Sequence, residues 1–200
     1  MGGKKAVSIK SFSFDDIGLQ QVSNRKRVTA RGGLLTSSGY GAHTRMLVRY
    51  LLAKHDAGQI ELRLNATRWG DTPWMLDPEM QHGEIGKMLD LCRDDIKDFD
   101  VSFQVQLPNE WDPHLACQSN IGITAGVETD RCNPAWVNAC NQMSMVIVPS
   151  QHTKKVLEVS GNITTRLEVV PESFPACFLD EPQQLDLDLP GDFSFLVVGQ

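Results

Sequence analysis

From residue 28 onward, short apolar runs alternate with segments whose apolar residues recur every three or four positions. The runs at 28–35 (VTARGGLL), 60–66 (IELRLNA), 101–107 (VSFQVQL), 120–125 (NIGITA), 145–148 (MVIV) and 166–170 (RLEVV) read as strands. The wholly apolar MVIV has the texture of a strand buried on both faces. Helical spacing marks 43–54, where Leu47 and Leu51 share a stripe with Met46 and Tyr50. It recurs at 84–98 through Ile85, Met88, Leu89, Cys92 and Ile96. Asn133-Pro134 reads as an N-cap with proline at the first helical position, opening a helix to residue 143. A further helix follows Pro149-Ser150 and ends at Gly161.

Repeated strand–helix alternation predicts an α/β fold: a Rossmann-like parallel sheet of about six strands with helices on both faces, spanning 28–174. Such sheets bind ligands outside the carboxyl ends of their strands. Three loops of unusual composition fall there, at 37–41, 109–112 and 128–130. Residues 1–27 are polar and weakly periodic, and read as a leader. Residues 175–192 are rich in proline and acid, and read as a linker. The final piece, FSFLVVGQ at 193–200, has the pattern of an opening strand of a second domain.

Composition narrows the function classes. With 25 Asp+Glu against 19 Lys+Arg, the chain carries no nucleic-acid footprint. No apolar run is long enough to span a bilayer, which leaves only peripheral membrane contact open. The start lacks the apolar region of a secretory signal. The five cysteines are odd in number and form no C-x-x-C pair, and the five histidines show no ligand spacing. Together these predict reduced thiols, a cytoplasmic setting and no metal site.

The chemistry-bearing loops can then be read one by one. Gly39 and Gly41, between a strand and a helix, let backbone N–H groups approach an anion such as a phosphate. The same residues also make an ordinary strand-to-helix turn. Arg45, about one turn into the helix, adds positive charge to that site or stands exposed. Glu110 and Asp112 flank Trp111, a pattern suited to a sugar: carboxylates accept hydroxyl hydrogen bonds while an indole covers the ring. Glu128, just past its strand, is the candidate catalytic carboxylate or a solvated loop acid.

Residues 122–161 (GITAGVETDRCNPAWVNACNQMSMVIVPSQHTKKVLEVSG) resemble glycosyltransferases of family 4, with SGYGAHTRML, VVPESF and FLVVGQ following the family's order. The resemblance covers roughly 28–200 and implies the N-terminal, acceptor-side half of a GT-B fold. In that setting 193–200 would open a C-terminal nucleotide-sugar domain outside this chain. It further implies a retaining transfer from a nucleotide-sugar to a glycan or other hydroxyl acceptor, with no metal or other cofactor. The fragment alone would then be inactive. Gly39 and Gly41, with Arg45, take the donor diphosphate in this reading, and Glu128 lies near the transferred sugar. Two other classes remain to be weighed. A dinucleotide-dependent oxidoreductase wants a third glycine where Thr44 stands and an acidic residue after the second strand, where the chain reads LRLNATR. A non-catalytic binding or scaffold domain derived from a transferase is the stronger alternative.

Overall fold

The computed structural model describes residues 25–92, 98–181, 193, 195 and 197. Its elements are β1 (Lys26–Gly32), α1 (Gly39–Asp56), β2 (Ile60–Ala66), α2 (Glu84–Leu91), β3 (Phe99–Val105), β4 (Ala116–Ile123), α3 (Pro134–Asn141), β5 (Met145–Val148), α4 (Gln151–Ser160) and β6 (Leu167–Val169). Six strands form one sheet in the order β2-β1-β3-β4-β5-β6, and every pairing is parallel. The fold is α/β and Rossmann-like, as the alternation predicted.

Register separates the two faces. Val28 and Ala30 align with Leu62 and Leu64 on one side and with Val101 and Phe103 on the other. Val48, Leu51 and Leu52 of α1 cover this face, joined by Ile85 and Met88 of α2. On the opposite face Gln104 aligns with Gly122, and Gly122 with Val146. Here Cys140 of α3 and Leu157 of α4 pack with Val146, Val148 and Leu167. Helices therefore lie on both faces. No described helix is long and apolar enough to cross a membrane.

The second face is unusual where β1, β3 and β4 meet, because Thr29, Ser102, Gln104 and Asn120 are all buried there. The polar groups of Ser102, Gln104 and Asn120 pair with one another and with the β3–β4 connection. Ser102 donates to Asn120 Oδ1 (2.7 Å), and Gln104 exchanges two bonds with the Asp112 main chain (2.7 and 2.8 Å). Asn120 Nδ2 donates to the carbonyls of Pro113 and Ala116 (both 2.8 Å). Buried polar groups are tolerable only when satisfied, so this network clamps onto the sheet a crossover that holds a short 3-10 turn, Pro108–Glu110, and no α-helix.

Several boundaries differ from the sequence expectation. β1 begins at Lys26, inside the expected leader, and stops at Gly32 rather than 35. Thr36 N–H then closes a turn on Gly33 O (2.8 Å). α1 starts at Gly39, four residues before position 43, because Ser38 caps it: its Oγ accepts from Gly41 N–H (2.9 Å). β4 begins four residues early, at Ala116 rather than 120. The helix expected over 84–98 ends at Leu91; positions 93–97 lie outside the described residues, and Asp98 has a left-handed φ of 70°. Gly161 caps α4 in extended backbone (φ 173°) rather than in the left-handed form. A short 3-10 turn, Ala176–Leu179, interrupts the expected linker. Most of the leader lies outside the described residues. Of 193–200 only Phe193, Phe195 and Val197 are described; they are exposed and belong to no strand of the sheet.

Candidate functional site

The sheet order reverses between β1 and β3, since α1 leads outward to β2 and the chain returns past β1. Open α/β sheets carry their ligand crevice at such a point. Its rim is built by the turn 33–38, the β3 exit at 106–112 and the β4 exit at 124–130.

The first wall is the N-terminus of α1. Gly41, expected to let an anion approach, is instead a packing glycine. A Cβ there would sit 2.3 Å from Thr36 O and 2.8 Å from Gly33 O, its N–H is taken by Ser38, and its φ is not positive. Gly39 is different: it is exposed, with open space where a side chain would stand. As the first residue of a helix, its N–H has no intrahelical partner and points along the positive dipole end.

Arg45 is buried rather than exposed, and its Nη1 donates to Leu34 O (2.8 Å) and Thr36 O (2.9 Å). Burial, with Arg49 adding like charge, pulls its pKa below the ordinary value, while Glu84 opposes. The guanidinium holds the turn in shape and lends the helix start a positive field.

Tyr40 joins two walls, a role the sequence reading missed. Its hydroxyl sits 3.0 Å from Thr124 Oγ1 and accepts from Ala125 N–H (3.1 Å), while its ring stacks on Trp69 at 4.1 Å. Burial raises the phenol's pKa, against the lowering effect of these hydrogen bonds, so it remains a neutral tether. The loop it holds leads to Glu128, which is exposed.

The β3 exit resolves differently from the expected sugar platform. Trp111 is only 8% exposed and lies in the core with Cys140, Met143 and Val146. Its indole fills the gap left by Gly122, where an added Cβ would lie 2.7–2.8 Å from three ring atoms. Glu110 and Asp112 on either side are exposed. Glu110 Oε2 accepts from Leu107 N–H (3.3 Å) and Asp112 Oδ1 from His114 N–H (2.9 Å). Arg31 fastens this exit to β1 by donating to Glu110 O (2.9 Å). The carboxylates thus stand at the rim while the aromatic between them faces inward.

A fourth wall comes from the chain after β6. Glu172 returns to α1 and meets His43 Nδ1 at 3.1 Å. Burial lowers the His43 pKa below 6.5, and the Glu172 charge pulls it back up. Because the folded state favours the neutral ring, the stability linked to His43 is fully present above about pH 6.5 and is lost as pH falls below it, although protonation itself tightens the contact with Glu172. An NMR titration should find His43 below 6.5, and Glu172→Gln should move it lower still. A His43 midpoint above 6.5 would mean that Glu172 outweighs burial.

Among the described residues no three His, Cys, Asp or Glu side chains converge on a metal position. No family model matches the chain, and no curated protein matches it.

Proposed function

We propose that this chain is the acceptor-side half of a cytoplasmic, retaining glycosyltransferase, moving a sugar from a nucleotide-sugar to an acceptor hydroxyl. The observation that carries the reading is the open start of α1 at the β1/β3 switch point. A capped helix of 18 residues presents an exposed Gly39 at the crevice, with no described atom of another element within 4 Å of where its side chain would stand, a seat suited to a diphosphate. The buried Arg45 and the packed Gly41 serve that seat indirectly, by holding the turn that aims the helix. Support also comes from the family-4 pattern at 122–161, whose first loop carries Glu128 and is fastened to α1 by Tyr40.

In this mechanism the first-turn N–H groups and the helix dipole neutralise the leaving diphosphate as charge develops on it. Glu128 faces the transferred sugar, where a carboxylate stabilises positive charge at the anomeric carbon or accepts the acceptor's hydroxyl proton. Glu110 and Asp112 offer acceptors for sugar hydroxyls. The nucleotide is held by a partner domain, so the 200-residue chain alone should show negligible turnover.

The test is a transfer assay on the complete protein with a panel of nucleotide-sugars and no added metal. Expected is a product of retained anomeric configuration, with Glu128→Gln lowering kcat by about 100-fold or more. Absence of transfer from every donor, with nucleoside diphosphates failing to bind, would leave the non-catalytic binding domain as the better account.

A further inference from the structure

Beyond the switch point, the segment that follows β6 folds back along α1 and roofs a groove. Phe174 and Pro175 stand across from Met46 and Arg49, and Gln81 and His82 close one end. The space measures about 610 Å³ and continues into a second of about 340 Å³ that reaches Gly39 and Ala42. Both spaces share Met46, Arg49, Gln81, Phe174 and Pro175. One trough therefore runs from the side of α1 to its N-terminus. We propose that this trough binds a small, uncharged molecule with an apolar body and a hydroxyl group. Resting on the transferase reading, that molecule is the acceptor.

Charge argues for an uncharged occupant. Arg49 gives Nε and Nη2 to Glu84 (2.8 and 2.7 Å), Nη2 also to Gln81 Oε1 (3.0 Å), and Nη1 to Met46 Sδ (2.8 Å). Glu172 stands 3.1 Å from His43, whose ring burial keeps largely neutral, so His43 does not cancel the carboxylate's charge. An anion entering the trough would find Arg49 already paired with Glu84 and would meet Glu172. A cation would face Arg45 and Arg49, and either would leave its own desolvation uncompensated. An extended glycan is disfavoured for a related reason: the polar side chains have spent most of their hydrogen-bonding capacity on one another.

The walls argue for an apolar body. Met46, Phe174 and Pro175 supply hydrocarbon and a ring face, and Phe174 is 57% exposed. A cavity of this size with apolar walls and few polar anchors is the usual form of a small-molecule site. The anchor is Gln81. With Oε1 accepting from Arg49, its amide N–H groups have no partner among the described residues. Gln81 and His82 both hold left-handed backbone, with φ of 52° and 57°, ahead of Gly83 at 81°. Successive non-glycine residues in this region are uncommon and strained. The turn closes the trough at the price of that strain.

The experiment uses the 200-residue chain with its Met methyl groups ¹³C-labelled, so that Met46 reports from inside the trough. Four probes are compared: 2-naphthol, naphthalene, the anionic naphthalene-2-sulfonate, and maltose. Expected is a saturable shift of the Met46 methyl with 2-naphthol, binding about 10-fold or more weaker with the sulfonate, and none with maltose. Met46→Trp fills the trough and is followed by broadening of the 2-naphthol resonances, because the reporter methyl is gone. It should reduce 2-naphthol affinity about 10-fold, as should Phe174→Ala, which needs no repacking of the core. Gln81→Leu should erase the preference for 2-naphthol over naphthalene.

The proposal is overturned if Met46 does not respond. It is equally overturned if either variant, folded by circular dichroism, binds 2-naphthol as before, or if maltose shifts Met46 instead. Failure of sugar transfer with the trough still binding would reject the transferase reading alone. Transfer with an unresponsive trough would reject this inference alone.

Discussion

Gly41→Val should destabilise the protein severely, while Gly39→Val, two residues earlier in the same helical turn, should be nearly silent. The reason lies in what each side chain would meet. At Gly41 a Cβ falls 2.3 Å from Thr36 O and 2.8 Å from Gly33 O. Both obstacles are main-chain atoms of the turn that ends β1. Main chain cannot swing aside as a side chain can, so α1 would have to lift from the sheet. That lift would break the Arg45 bonds to Leu34 O and Thr36 O, and the Ser38 cap.

Overpacking of this kind costs roughly 3 kcal/mol or more, lowering Tm by roughly 6–12 °C for a chain of this size. At Gly39 nothing lies within 4 Å, and a surface change should stay within about 0.5 kcal/mol. Thermal melts of the two variants decide the matter. If Gly41→Val melts like the parent, the turn is pliable and Gly41 is free to serve a ligand directly. On the transferase proposal Gly39→Val carries the functional question, because it would place a β-branched side chain at the proposed diphosphate seat without touching the fold.

Trp111→Ala should be the costliest truncation on the opposite face of the sheet. The indole belongs to the cluster of Cys140, Met143, Val146, Val148 and Leu157, and it occupies the space that Gly122 leaves open. Removing it opens a cavity bounded by sheet backbone that cannot collapse inward, for a loss of about 3–5 kcal/mol. Glu110→Ala and Asp112→Ala, exposed on either side, should cost well under 1 kcal/mol each by comparison. Denaturant unfolding of the three variants gives the ranking. A small loss for Trp111→Ala would show that the 106–115 crossover is held chiefly by the Gln104, Asn120 and Arg31 bonds.

The burial of Cys140 follows from the same packing. Its thiol is pushed up to about 12, chiefly by burial, so it should resist alkylation until the cluster around Trp111 opens. Of Cys92, Cys117, Cys132 and Cys140, the exposed Cys117 on β4 should react first.

What the sequence determined by itself is the local order of the chain. Alternating apolar runs and helical stripes specified six strands and four helices, because each element's period of 2 or 3.6 is written in neighbouring residues. The rim loops also followed, since turn residues interrupt those periods. The start of α1 was legible too, and was missed: Ser38 is a strong N-cap residue placed where the helix begins.

Tertiary structure alone decided which loop residues face a ligand and which face the core. Trp111 looks like a binding aromatic between two carboxylates until sheet register places Gly122 beneath it. Arg45 looks like a free cation until the β1 turn presents two carbonyls to it. His43 and Glu172 are 129 positions apart, and nothing local to either announces the other. Local patterns record what a residue prefers beside its neighbours in sequence. Burial, cavities and long-range ion pairs depend on surfaces that exist only after distant segments have packed together.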